Sequence, residues 1–292
     1  MYKGSYVAIV TPFKDSGLDE NGLRKNIKFL LANGSSGIVA CATTGESPTL
    51  TEDEFEKVIK IAVEETDNKV PVIAGAGTNS TYKTINLIQK AEEYGAQGAL
   101  VVTPYYNKPT QDGLYEHYRK IAEESSLPII VYNVPGRTGC NILPETVARL
   151  AKDCDKIVGI KEASGSLDQV SEIQRLCGDG FDILSGDDSL TFPMLAIGAK
   201  GVISVVANIL PNEVALMCKS FFEGDIKRTQ KIHLRLFPVI KALFIEANPI
   251  PVKKAMELMG MAAGRPRLPL LEMSQKNVSV LKKSLIDFGV EL

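Results

Sequence analysis

The sequence predicts a (β/α)8 barrel, the TIM-barrel fold, followed by a C-terminal helical appendage. A short apolar segment followed by an amphipathic one recurs eight times before residue 224, at intervals of roughly 30 residues. The apolar segments contain few polar residues, as strands buried on both faces do, and eight parallel strands are the number that closes into such a barrel. We therefore assign residues 1–223 to the barrel and residues 224–292 to a helical region packed on it.

The predicted strands are runs of β-branched and small apolar residues that end at polar or glycine-containing loops. They cover residues 6–10, 37–41, 71–75, 98–102, 128–132, 157–161, 181–185 and 201–205.

The segments between the strands predict the covering helices, because apolar residues recur there at helical spacing. Thr51 followed by three acidic residues is typical of a helix N-terminus, and Pro144 suits a first helical turn. The predicted helices cover residues 20–32, 81–94 and 111–124, with further helices beginning near 51 and 144 and, after residue 223, covering 226–245, 252–259 and 271–288. The Pro-Ile-Pro sequence at 249–251 is expected to interrupt this last region.

The composition excludes several classes of function. With 292 residues, 45% of them hydrophobic, and a net charge of −2, the chain can bury a large core but offers no basic surface to nucleic acid or an anionic membrane. No apolar run approaches a membrane span, and the N-terminus lacks a signal-peptide pattern, so we expect a cytoplasmic protein. Five scattered cysteines without CxxC spacing and only two histidines argue against a metal site.

The sixth predicted strand ends on a charged residue, Lys161. Burying an ammonium group without a counter-charge is costly and favours the neutral amine, the form that attacks a carbonyl to make a Schiff base. A lysine at a strand end can instead lay its stem on apolar surface and keep its head in water. The residues at the neighbouring strand ends decide between these two interpretations.

Active sites of such barrels lie at the carboxyl ends of the strands, so polar residues that follow the strands are expected on one rim. Thr43 and Thr44 follow the second strand, Tyr132 ends the fifth, and Arg137 comes shortly after it. The hydroxyl groups and the backbone N–H groups of the turn after the second strand suit a small carboxylate, and the guanidinium offers a bidentate fork for another. Together with Lys161, these residues predict a site for a keto acid.

Four segments, residues 42–47, 105–107, 132–139 and 159–162, resemble the dihydrodipicolinate synthase family, also called the 4-hydroxy-tetrahydrodipicolinate synthase family. The likeness extends from residue 4 to residue 253. The turn at 45–46 and the tyrosine–lysine pair alone would indicate only the wider group of pyruvate-dependent lyases, which includes N-acetylneuraminate lyase and sugar-acid aldolases. Arg137 within residues 134–139 is the feature that resembles the synthases in particular.

The resemblance implies a condensation of pyruvate with L-aspartate 4-semialdehyde through a Schiff base on Lys161, with no cofactor and no metal. It implies that Tyr132 donates and accepts protons beside the imine and that Thr43 and Tyr106 complete a proton relay with it. It also implies that Thr44 binds the carboxylate of pyruvate.

The resemblance further assigns Arg137 to the second substrate's carboxylate, and it places Gly186 and the carbonyl of Ile203 along the pocket. In the family, the tyrosine that matches Tyr106 reaches into the site of a neighbouring subunit. A dimer or a tetramer is therefore expected, with no nucleic acid and no membrane as partner.

Other functions are weighed against this one. A metal-dependent aldolase needs a cluster of histidines or carboxylates that the sequence cannot supply, and Asp187 and Asp188 at a helix start would repel a phosphorylated substrate. A catalytically inactive barrel that serves as a binding module is disfavoured because no motif residue is missing. Cleavage of N-acetylneuraminate or of a 2-keto-3-deoxy sugar acid stays open to an activity assay.

Regulation by L-lysine is expected to be weak or absent. In relatives that L-lysine inhibits, a glutamate accepts the ammonium group of the inhibitor, and the resemblance places Lys83 at that position. The positions that match two histidines of a lysine-sensitive relative hold Glu52 and Phe55. A lysine in place of the glutamate repels the incoming cation.

Overall fold

The computed structural model of the chain describes residues 1–15 and 17–292. Eight strands are hydrogen-bonded in a closed barrel in which each strand neighbours the next in sequence and the last neighbours the first. They are β1 (Gly4–Ala8), β2 (Gly37–Ala40), β3 (Val72–Gly75), β4 (Gly98–Val102), β5 (Ile129–Asn133), β6 (Ile157–Glu162), β7 (Asp182–Ser185) and β8 (Gly201–Ser204). The fold predicted from the sequence is confirmed.

One main helix follows each strand, as the repeat predicts. They are α1 (Glu20–Ala32), α2 (Glu52–Thr66), α3 (Thr81–Glu93), α4 (Gln111–Glu124), α5 (Pro144–Asp153), α6 (Leu167–Cys177), α7 (Thr191–Ile197) and α8 (Pro211–Phe222). Three further helices complete the chain: α9 (Ile226–Leu243), α10 (Ile250–Leu258) and α11 (Gln275–Phe288). Within the described residues, no helix has the length and apolar composition needed to cross a membrane.

Local signals explain where several helices begin. Thr51 and Glu54 form the expected capping box of α2, in which each side chain bonds the other's backbone N–H. Asp225 caps α9 by accepting a hydrogen bond from the Arg228 N–H. The helical region is interrupted before the Pro-Ile-Pro sequence, as expected: α9 ends at Leu243 and α10 begins at Ile250. Pro251 lies in the first turn of α10, where its missing N–H costs nothing.

The strand ends differ from prediction by up to two residues. The first strand ends at Ala8 rather than at residue 10, and the N–H of Val10 donates to the side chain of Asn208 instead of to a neighbouring strand. Pro128 precedes β5 because proline has no N–H for the ladder. The loops also contain elements that periodicity does not predict, namely a hairpin (Phe13–Lys14 with Gly17–Leu18) and a helical turn (Pro135–Thr138).

The chain divides into two compact units. The first comprises Met1–Lys3 and Ile73–Ile203, and the second comprises Gly4–Val72 and Ser204–Leu292. Within the second unit α8 packs against β1, and α9 packs against α8, α10 and α11. The predicted division at residues 223 and 224 falls in the turn between α8 and α9, and it remains a prediction.

Candidate active site

Lys161 lies at the carboxyl end of β6 and is almost fully buried, with 4% of its surface exposed. In the parallel register of β5 and β6 it pairs with Tyr132, and its Nζ lies 4.3 Å from the centre of the tyrosine ring. Within the part of the chain that the structure describes, Lys161 has no carboxylate partner. The predicted pair of a buried amine and a tyrosine is thus brought together by strand register.

Gly186 leaves room for the Lys161 stem. It follows β7, and its N–H donates to the carbonyl of Glu162 at 2.8 Å. A Cβ at position 186 would lie 3.1 Å from both Cγ and Cε of Lys161 and 2.7 Å from Cβ of Ala163. Only glycine fits this close approach without displacing a neighbour.

Glu162, the residue after Lys161, anchors the same strand end from the other face of the strand. Its buried carboxylate accepts hydrogen bonds from the Ser164 N–H at 2.6 Å and from the side chains of Asn133 and Gln169, each at 3.0 Å. These bonds join the ends of β5 and β6 to α6. Glu162 is not among the site residues that the sequence predicts, although a glutamate that ends an apolar strand is a signal for such a network.

Arg137 lies on the exposed helical turn after β5. The turn is fixed from inside by Thr138, whose hydroxyl donates to the Cys140 carbonyl at 2.9 Å and accepts from the buried Thr103 at 3.3 Å. An exposed guanidinium on a rigid base can present a fork to a carboxylate. Ile203, also predicted to line the pocket, is a buried residue of β8.

Tyr106 lies on the loop after β4 and is 86% exposed in the single chain. Its backbone φ of +74° is unfavourable for a tyrosine, and its N–H points to the carbonyl of Thr138 at 3.4 Å. Asn79 and Asn107 brace the loop, the first donating to the Tyr105 carbonyl and the second to the Asn79 carbonyl. The structure thus holds Tyr106 outward rather than against Tyr132 of the same chain.

Thr43 and Thr44 form a short 3-10 turn directly after β2, in the second compact unit. The Thr44 hydroxyl accepts a hydrogen bond from Nδ2 of Asn248 at 3.0 Å, and Thr44 and Asn248 are both buried. The N–H of Gly45, which we expected to contact a carboxylate, donates to the Ala42 carbonyl at 3.0 Å. That N–H is therefore committed to the turn, and the approach of Thr43 and Thr44 to Lys161 remains a prediction.

The turn after β2 ends on Glu46, whose φ of +56° is left-handed and whose carboxylate is buried. Lys253 of α10 binds this carboxylate at 2.6 Å, and the N–H of Arg267 donates to it at 2.8 Å. Burial lowers the pKa of Lys253, and the hydrogen bond that its ammonium group donates to Glu46 opposes that shift. Arg267 also binds Glu54 of α2, which holds the pKa of Glu54 below its usual range.

Sequence reasoning missed the roles of Asn248 and Lys253. In the sequence their segment stands out only for its prolines and for the family resemblance, and the partners of both residues lie more than 200 positions away in the chain. No periodic pattern relates residues so far apart, so only the tertiary structure shows the connection.

The model of the dihydrodipicolinate synthetase family matches residues 1–287. The chain belongs to this family. Family members resemble it over nearly their whole length: the 4-hydroxy-tetrahydrodipicolinate synthase of Geotalea daltonii is 56% identical over 287 residues, which are 97% of this chain and 99% of the relative.

Solved structures of family members agree with the fold. Dihydrodipicolinate synthase from Thermotoga maritima has a TM-score of 0.98 and 48% identity, with all of both chains covered. A monomeric dihydrodipicolinate synthase variant also has a TM-score of 0.98 and 48% identity, covering 99% of this chain and 98% of its own.

Proposed function

We propose that the chain condenses pyruvate with L-aspartate 4-semialdehyde to give 4-hydroxy-tetrahydrodipicolinate, the opening step of diaminopimelate and lysine biosynthesis. The observation that carries this proposal is the buried Lys161 amine, which lies 4.3 Å from the Tyr132 ring at the carboxyl end of β6 in a member of this family. An amine at the carboxyl end of a barrel strand can attack a ketone to form an imine, and a neighbouring phenol can exchange the protons that this step moves.

The reaction begins when Nζ of Lys161 attacks the ketone carbon of pyruvate and water leaves, which forms an imine. Loss of a proton from the methyl group gives an enamine, and its carbon attacks the aldehyde of the semialdehyde. The amino group of the joined product then attacks the imine carbon, closes the ring and releases the Lys161 amine. The lysine itself accepts the electron pair, so the steps need no cofactor and no metal.

Tyr132 is the candidate for moving protons in these steps, because its ring lies 4.3 Å from the attacking amine. Thr43, and Tyr106 supplied by a second copy, would complete the relay. Thr44 would bind the carboxylate of pyruvate, since its turn follows a barrel strand at the end where substrates bind.

Arg137 is assigned to the carboxylate of the semialdehyde, because it stands exposed on the rigid turn that follows the Tyr132 strand. Gly186 and the carbonyl of Ile203 would form part of the pocket wall. Gly186 is supported by its contact with the Lys161 stem.

Self-association into a dimer, or a tetramer made of two dimers, is the proposed assembly. Three tyrosines are exposed: Tyr82 in the first turn of α3 at 79%, and Tyr105 and Tyr106 on the loop after β4 at 39% and 86%. Asn79, just before α3, donates to the Tyr105 carbonyl and so joins the two segments. Exposed aromatic clusters are typical of interfaces. Sedimentation of the purified chain tests this, and a fully active monomer would contradict it. The cytoplasm remains the predicted location.

The experiment that tests the function is borohydride trapping with pyruvate, followed by peptide mapping. We expect one reduced pyruvyl group on Lys161, none in Lys161→Ala, and normal labelling in Lys152→Ala, which removes an exposed lysine of α5. Arg137→Ala should still be labelled but should lose turnover with the semialdehyde by roughly tenfold or more. Labelling at another lysine, or efficient cleavage of N-acetylneuraminate, would contradict the proposal.

A further inference from the structure

Asn248 lies between α9 and α10, and its side chain donates a hydrogen bond to a residue of the predicted pyruvate site. Its Nδ2 donates to Oγ1 of Thr44 at 3.0 Å across 204 positions of sequence. The two residues are 5% and 1% exposed, so water does not compete for this bond. The orientation of the Thr44 hydroxyl is therefore set by a residue of the C-terminal region.

The direction of this hydrogen bond determines what the hydroxyl can do. A threonine hydroxyl has one proton to donate and two lone pairs that accept. Because Asn248 occupies a lone pair, the proton remains available for an acceptor, and a carboxylate oxygen is a strong one.

We propose that Asn248 is a positioning residue for pyruvate binding, which fixes the Thr44 hydroxyl as a donor to the carboxylate of pyruvate. The inference rests on the proposed function, because it takes Thr44 to be the residue that binds this group. Asn248 itself acts only through Thr44.

The turn that carries Thr44 is held on its other side by the same C-terminal region. Lys253 binds Glu46 at 2.6 Å with 1% and 2% of the two side chains exposed, and the N–H of Arg267 donates to the second carboxylate oxygen at 2.8 Å. Thr11 donates from its hydroxyl to the Gly45 carbonyl at 2.8 Å. A turn fixed at both Gly45 and Glu46 cannot rotate to compensate for a lost Asn248 bond, so the Thr44 hydroxyl would lose its direction.

Other buried asparagines of the same unit show what a structural role looks like. Asn26 donates to the Ala262 carbonyl at 2.7 Å, and Asn208 donates to the Ala8 carbonyl at 2.8 Å. Both asparagines satisfy buried backbone carbonyls that would otherwise lack a hydrogen-bond donor. Asn26 is therefore a matched control, because it is a buried asparagine that contacts no proposed site residue.

The test measures the pyruvate concentration that gives half-maximal borohydride trapping on Lys161, with wild type, Asn248→Ala, Asn248→Asp and Asn26→Ala. We expect Asn248→Ala to raise this concentration roughly threefold to tenfold, which is what the loss of one hydrogen bond gives. Asn248→Asp should raise it roughly tenfold or more, because the carboxylate takes the hydroxyl proton and repels the substrate. The trapping rate at saturating pyruvate should stay within about twofold of wild type.

Asn26→Ala should lower the melting temperature and leave the half-maximal concentration unchanged. Unchanged pyruvate dependence in Asn248→Asp, or an equal rise in Asn26→Ala, would overturn the inference. If Asn248→Ala does not fold, the nearly isosteric Asn248→Asp decides alone. Absence of any pyruvyl adduct in the wild type would overturn the proposed function itself. An adduct that forms with the same half-maximal pyruvate concentration in the wild type and in the Asn248 variants would overturn only the role of Asn248.

Discussion

An alanine at position 186 would enter the space that the stem of Lys161 occupies. The added Cβ would lie 2.7 Å from Cβ of Ala163 and 3.1 Å from Cγ and Cε of Lys161, whereas carbon atoms in ordinary contact lie about 3.5 to 4.0 Å apart. The Ala163 contact has no flexible end that could move aside, so the strand end or the lysine must shift.

The magnitude follows from the size of this overlap. Inserting a methyl group into a packed region costs about 1 to 3 kcal/mol of folding free energy. A shift of about 1 Å in a reacting group can lower a rate about a hundredfold. We therefore expect Gly186→Ala to be folded, somewhat less stable, and about a hundredfold slower in forming the imine with pyruvate.

The assay is the rate of borohydride trapping at saturating pyruvate, measured beside thermal unfolding. Gly180→Ala is the matched control, because no atom lies within 4 Å of a Cβ at that position and its φ is not left-handed. Wild-type trapping in Gly186→Ala would refute the reasoning. So would an equal loss in Gly180→Ala, since that site does not touch the lysine.

Two further predictions concern pH and regulation. Burial lowers the pKa of His117 from 6.5 to about 4, so below pH 6.5 the unfolded chain binds a proton that the folded chain does not. The free energy of unfolding should thus fall as the pH drops from 6.5 toward 4, by at most about 3 kcal/mol, and urea titrations of His117→Asn should show a flatter dependence, equal slopes being the contrary result. L-Lysine should inhibit weakly or not at all, because the exposed Lys83 repels a cation by up to roughly 4 kcal/mol at 4 Å and an effective dielectric of 20. A lysine titration at saturating pyruvate measures this, and complete inhibition below a millimolar would contradict it.

The fold could be predicted because parallel strands buried on both faces leave a simple pattern of apolar runs at regular intervals. The ends of the strands could not be predicted, because the last hydrogen bond of a strand depends on which other groups of the folded chain compete for its N–H. Val10 continues the apolar run after β1, yet its N–H bonds to Asn208 from the far end of the barrel sequence. The start of α11 was also predicted wrongly. The apolar pattern predicts a helix from residue 271, whereas the helix begins at Gln275.

The candidate site could be predicted in part. Tyr132 and Lys161 meet because adjacent parallel strands align their ends, which is a rule of topology. The roles of Glu162 and Asn248 could not be predicted, because the role of a buried polar side chain depends on which groups it bonds to in the folded chain. The partners of Glu162 come from β5, α6 and the Ser164 N–H, and the partner of Asn248 comes from the turn after β2.

The two lysines that are buried in the described part of the chain show why burial alone does not identify a nucleophile. Lys161 and Lys253 are 4% and 1% exposed, and each amine lies 4.3 Å from the centre of an aromatic ring. Lys253 also has the Glu46 carboxylate at 2.6 Å and two backbone carbonyls at 3.3 Å, so its three protons are all bound. Attack on a ketone needs a free lone pair on nitrogen and room for the substrate, and these three contacts instead fix the Lys253 nitrogen in a structural role. Lys161 has no such acceptors among the described residues, and its position at the rim of the barrel gives a substrate access to the amine. The absence of a carboxylate partner, rather than the depth of burial, is what separates the catalytic candidate from the structural lysine.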